Sequence, residues 1–129
     1  MKIGRVVLAM AISAGVASAD EKKPDVAAAR VAAEENAKTP AGKRYETALE
    51  ASLDRWLKKA VERCVRSADR SELSDFEAFV RIADSGKAED VVFGAETAVA
   101  RCVEPDLRDA TYPHPPKEGW WVRVEIQLR

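Results

Sequence analysis

The sequence predicts an α+β fold: two helices packed on one face of a three-stranded antiparallel sheet, in the chain order α-β-β-α-β. Three observations carry that expectation. Apolar residues recur at three- and four-residue steps from Tyr45 to Val65, the period falls to two at Phe76 to Ile82, and Trp120 to Leu128 alternates apolar with mostly polar side chains. A helix returns a side chain to the same face every 3.6 residues and a strand every two, so each rhythm names its element.

The chain opens on Lys2 and Arg5, continues through the apolar run Val6 to Val16, and reaches Ala17-Ser18-Ala19 ahead of Asp20-Glu21-Lys22-Lys23. A positive start, an apolar centre and small residues before a polar flank are the three parts of a cleavable secretory signal. The run is about half of the ~20 residues that a membrane-spanning helix needs. Residues 1–19 are therefore expected to be a signal peptide cleaved after Ala19. The remaining 110 residues are expected in the periplasm or secreted, with no stable membrane insertion. Lys2 and Arg5 are the only charges in the segment, so the net charge of −1 becomes −3 without it. A mildly acidic chain lacks the clustered basic surface by which proteins neutralise phosphates, so a nucleic-acid partner is not expected.

Residues 20–42 read as a leader. The stretch Val26 to Ala37 is alanine-rich and offers almost nothing large to bury, so a flexible or marginally helical segment is expected. The domain is expected to occupy residues 43–129. Its first element, with Tyr45, Leu49, Leu53, Trp56, Leu57, Ala60, Val61, Cys64 and Val65 on one face, reads as one amphipathic helix of about six turns. Phe76, Ala78, Val80 and Ile82 then form the buried face of a strand. Asp84-Ser85-Gly86-Lys87 supplies turn chemistry, and Ala88 to Phe93 supplies the returning strand of a hairpin. Glu96 to Asp109 reads as the second helix, with Pro105 expected to kink or break it. Tyr112-Pro113-His114-Pro115-Pro116 must be extended, since prolines and the residues before them disfavour helix. The final strand follows and is expected at an edge of the sheet.

Cys64 and Cys102 are the only cysteines. An even count in an exported chain makes a disulfide the default reading. A metal site would want three or four ligands at short spacing, and the only histidine is His114; a redox pair would more naturally be written Cys-x-x-Cys. No nucleophile–histidine pair and no glycine-rich phosphate loop is written in the sequence, so neither an enzyme nor a cofactor or metal is expected.

The ordered set of an alternating strand at 76–83, the turn Asp84-Ser85-Gly86, the strand 88–93, the Cys102 helix, the Tyr112-Pro113-His114-Pro115-Pro116 connection and the strand 120–128 resembles the C-terminal domain of TonB-like proteins. One cysteine late in the first helix and one in the second resemble the disulfide-bearing AgmX/PglI-type C-terminal subset, associated with surface motility and the cell envelope. The resemblance implies a TonB C-terminal-like fold over residues 43–129, a paired Cys64 and Cys102, and capture of a partner segment at an open strand edge. The energy-transducing role is not expected to carry over: TonB transducers have an inner-membrane helix and a long Pro-rich linker, where this chain is expected to have a cleaved signal and a short leader.

Binding is what remains. An open edge can accept an extended peptide as an added strand. Trp121, Arg123 and Glu125 on the final strand, with Phe79 on the first, are the candidate partner-binding residues. Trp121 and Phe79 are placed on the sheet face away from the helices, where they either anchor a partner or a second copy of the chain, or lie under charged neighbours and the leader. The expected function is a non-enzymatic exported interaction module of the cell envelope, binding an envelope protein at the C-terminal edge strand. The alternative is a disulfide-stabilised structural or accessory component of an envelope or surface-motility assembly, docking through its leader.

Overall fold

A computed structural model describes residues 24–128; the predicted signal peptide lies outside them. The elements in order are α1 (Val26–Lys38), α2 (Pro40–Asp54), α3 (Leu57–Arg66), a short 3-10 turn (Arg70–Glu72), β1 (Phe76–Ile82), β2 (Ala88–Phe93), α4 (Ala98–Asp109) and β3 (Trp120–Ile126). The fold is α+β, and its three strands form one antiparallel sheet in the order β2-β1-β3. β1 is central, so β3 is an edge strand.

The expectation of two helices on one face is corrected in both number and placement. The predicted six-turn helix is two helices. The backbone N–H groups of Arg55 and Trp56 reach back three residues, to Ser52 and Leu53, instead of four, and α3 starts afresh at Leu57. No glycine or proline marks this break, and the apolar rhythm runs straight through it. α2, α3 and α4 share one face of the sheet. Their core combines Tyr45, Leu49 and Leu53 from α2 with Cys64, Val99, Val103 and Leu107, all against Ala78, Val80, Val122 and Val124 of the strands.

The other face is covered by α1, the segment expected to be a flexible or marginally helical leader. Ala29 and Ala33, one turn apart, are buried against Phe79 and Val92, with Val26 and Trp121 at the margin. Small side chains let the helix backbone approach the sheet closely, and the bulk that fills the interface comes from the strands. The expected domain boundary at residue 43 falls inside α2, so the packed unit begins at Val26. Thr39 alone joins the two helices. Its hydroxyl donates to the Asn36 carbonyl at 2.8 Å and accepts from the Gly42 N–H at 2.9 Å, and Pro40 occupies the first position of α2, where no N–H is needed.

The hairpin forms as its turn residues dictate. Gly86 has φ +92°, and a Cβ there would sit 2.5 Å from the Tyr112 carbonyl oxygen. Only glycine meets both demands. The Gly86 carbonyl accepts from the Tyr112 N–H at 2.8 Å, which ties the turn to the proline-rich connection. α4 is a single helix with Pro105 inside it, capped by the Thr97 side chain at the Ala100 N–H; the expected break does not occur. Cys64 and Cys102 are joined in a disulfide that links α3 to α4.

Candidate interaction site

The hydrogen-bond parity of the sheet decides which part of β3 faces outward. The Glu77 carbonyl accepts from the Gly94 N–H at 2.9 Å, so Glu77, Phe79 and Arg81 direct their backbone groups toward the hairpin partner β2. Successive residues of a strand point their backbone groups to opposite sides. Ala78, Val80 and Ile82 therefore serve β3, where they stand opposite Val124, Val122 and Trp120. The remaining residues, Trp121, Arg123 and Glu125, direct N–H and C=O away from the sheet. Asn36 supplies an independent check: its Nδ2 donates to the Trp121 carbonyl from outside the sheet, at 3.0 Å. Among the described residues, the outward backbone groups of Arg123 and Glu125 have no such cover.

This edge lies at the base of a groove. α1 forms one wall through Ala33, Glu34 and Ala37, and α2 forms the other through Glu46, Glu50 and Leu53, around a hollow of about 480 Å³. A second hollow of about 600 Å³ continues it past the end of β3, lined by Leu57, Val61 and Val65 of the α2–α3 side and by Ile126 and Leu128. Leu53, Leu57, Glu125 and Gln127 border both, so the two form one furrow along the strand.

The four predicted partner-binding residues separate into two groups. Phe79 is fully buried at 0 % exposure beneath α1, so it offers nothing to a partner while α1 is seated. The Arg30 guanidinium sits over its ring at 5.2 Å. Complete burial of such a ring contributes on the order of 2–3 kcal/mol to holding the helix on the sheet. Trp121 is half-buried against α1 and lies under the Arg81 guanidinium at 5.7 Å, so it too is a packing residue more than a free anchor. Of the two alternatives the sequence leaves for these aromatics, the covered one is found. Arg123 and Glu125 are exposed on the edge itself and pair with each other at 3.3 Å. Glu77 links this pair to α1, receiving Arg30 at 3.0 Å and Arg123 at 3.1 Å.

Sequence reasoning missed the walls of the groove, Glu34 and Asn36 on α1 and Glu46 and Glu50 on α2. The only available signal was the spacing of Val26, Ala29, Ala33 and Ala37, a narrow stripe of mostly small residues. His114, singled out as the only histidine, lies on an exposed loop with Nδ1 2.6 Å from the Asp84 carbonyl oxygen. Among the described residues no helix is long and apolar enough to cross a membrane. Comparison of the chain with protein-family models, curated protein sequences and solved structures finds no match.

Proposed function

We propose that this chain is a non-enzymatic, exported interaction module of the cell envelope that captures an extended segment of a partner protein by strand addition along β3. The observation that carries the reading is the pairing of an uncovered backbone edge with a groove. Arg123 and Glu125 present outward N–H and C=O groups between walls contributed by α1 and α2. A sheet edge is a row of unpaired donors and acceptors, and an extended peptide can satisfy them in register. The run β1, turn, β2, α4, proline-rich connection and β3 keeps the order on which the resemblance rests and supports a TonB C-terminal-like reading, with a second helix before β1 and α1 on the other face as elaborations. The signal-like residues 1–19 and the Cys64–Cys102 disulfide both support an oxidising compartment outside the cytoplasm. The alternative, docking through the leader, is less favoured because the apolar stripe of α1 is already spent on Phe79 and Val92.

The test is recovery of a partner from periplasmic or secreted extract by the protein and by an edge-blocked variant. Parity selects the position. Proline at Arg123 removes an outward N–H, whereas proline at Val124 would remove one that bonds to β1. Equal partner recovery by Arg123→Pro and the unaltered protein would refute capture by strand addition.

A further inference from the structure

The groove is not electrically neutral, and its asymmetry identifies the kind of segment it takes. Glu34 of α1 and Glu46, Glu50 and Asp54 of α2 line the furrow with exposed carboxylates. Among the described residues none of the four takes part in an ion pair. Beside the first hollow the basic residue is Arg123, already engaged by Glu77 and Glu125; Lys58 and Arg66 border the second hollow, together with Glu62. Beyond Asp54 the same wall adds apolar surface, with Leu57, Val61 and Val65 lining the hollow with Ile126 and Leu128, flanked by Lys58, Glu62 and Arg66. Carboxylates thus outnumber basic groups along the furrow, the unpaired ones at Glu34, Glu46 and Glu50 lie beside the first hollow, and the second adds apolar surface at the end of β3.

Resting on the strand-addition reading above, we propose that the captured segment is a cationic extended peptide. Its basic side chains lie along Glu46 and Glu50, and an apolar side chain enters the hollow beside Ile126. A strand added to β3 alternates its side chains between the α1 wall and the α2–α3 wall. Both walls carry unneutralised carboxylates, so basic residues on either face of the strand find a counter-charge. A second copy of this chain is the poorer occupant: pairing β3 with its own symmetry mate would bring the acidic α2 wall against itself. An acidic segment is disfavoured for the same reason.

The experiment uses the purified, disulfide-bonded protein and three capped peptides: one alternating Lys and Val, the same with Glu for Lys, and the Lys peptide N-methylated on alternate residues. Binding is followed by the intrinsic tryptophan fluorescence of the protein, to which Trp120 and Trp121 beside the groove contribute, and association state by sedimentation. The Lys peptide is expected to bind, the Glu peptide and the N-methylated peptide to bind at least about tenfold more weakly. The triple variant Glu46→Gln, Glu50→Gln, Asp54→Asn, with an unchanged unfolding midpoint, is expected to raise the Kd of the Lys peptide about tenfold, and added salt to do likewise. Equal binding of the Lys and Glu peptides, or an indifferent triple variant, overturns the charge assignment; strand addition then stands as long as N-methylation abolishes binding. Equal binding of the N-methylated peptide overturns strand addition itself. Binding of neither peptide overturns both, and a dimer dissociated by Arg123→Pro reassigns the edge to a second copy.

Discussion

Asn36 on the last turn of α1 donates a 3.0 Å hydrogen bond to the backbone carbonyl of Trp121, the first outward-facing residue of β3. A side chain from a segment that reads as a loose leader thus closes one end of the sheet edge and leaves the rest of it open. Asn36→Ala is expected to lower stability by about 1 kcal/mol, the usual net worth of one part-buried hydrogen bond. Urea unfolding followed by tryptophan fluorescence measures it.

The two proline variants of β3 separate edge from ladder. Arg123→Pro is expected to fold with a modest loss of stability, because proline is tolerated where the N–H faces outward on an edge strand. Val124→Pro removes a bond to Ala78 inside the sheet and is expected to cost about 3 kcal/mol or more. Circular dichroism melts of the two proteins should therefore differ clearly, although the substitutions are adjacent.

The junction of α1 and α2 has no room for a side chain. A Cβ on Gly42 would stand 1.8 Å from the Asn36 carbonyl oxygen, which is backbone and cannot swing aside. Gly42→Ala should cost about 2–3 kcal/mol, at the upper end for overpacking. The displacement of α1 should also speed amide exchange at Phe79 and Val92, which hydrogen-exchange mass spectrometry reads directly.

Opening the Cys64–Cys102 bridge frees a loop of about 39 residues in the unfolded chain, and the loss expected from chain entropy is about 4 kcal/mol. Cys64 is only 1 % exposed, so replacement of both cysteines by alanine adds a small cavity cost. The midpoint of urea unfolding, compared with and without reductant, should show the shift in the unaltered protein and none in the double variant.

Alkaline pH should destabilise the fold through two buried tyrosines. The Tyr45 hydroxyl donates to the Pro113 carbonyl at 2.7 Å and the Tyr112 hydroxyl to the Leu107 carbonyl at 2.6 Å. Burial pushes the Tyr45 phenol up to about 12 and the Tyr112 phenol higher still, the latter also through the neighbouring Tyr45. Both remain protonated in the fold at a pH where the unfolded chain, near pKa 10, has lost its protons. Their contribution is complete below about pH 10 and is lost as pH rises toward and past 12, by up to about 1.4 kcal/mol per pH unit for each group. Unfolding midpoints between pH 9 and pH 12 should fall, and Tyr45→Phe should flatten the slope.

The strands, the hairpin turn and the disulfide were legible because each rests on a strong local signal: strict alternation, a turn that needs Gly86, and an even cysteine count. The same alternation put the side chains of Trp121, Arg123 and Glu125 on one face of β3; that their backbone groups point off the sheet needed the pairing with β1. α1 was not, because alanine contributes little to hydrophobic periodicity. What holds Ala29 and Ala33 down is the bulk of Phe79 and Trp121, which lies far along the chain. The break at Arg55–Trp56 was hidden for the opposite reason, since apolar residues continue in phase on both sides of it. The acidic groove needed both helices in place, and no stretch of sequence contains it.

The ring closed by Cys64 and Cys102 encloses β1 and β2 but not β3. Two strands of the sheet are thus carried within a closed covalent circuit, and the third is joined to it by the backbone of residues 103–119, by ladder bonds and by side-chain packing. Loss of the β1–β3 ladder would therefore leave α3, α4 and the hairpin held together by one closed ring, with β3 still tethered beside its place by the backbone of residues 103–119.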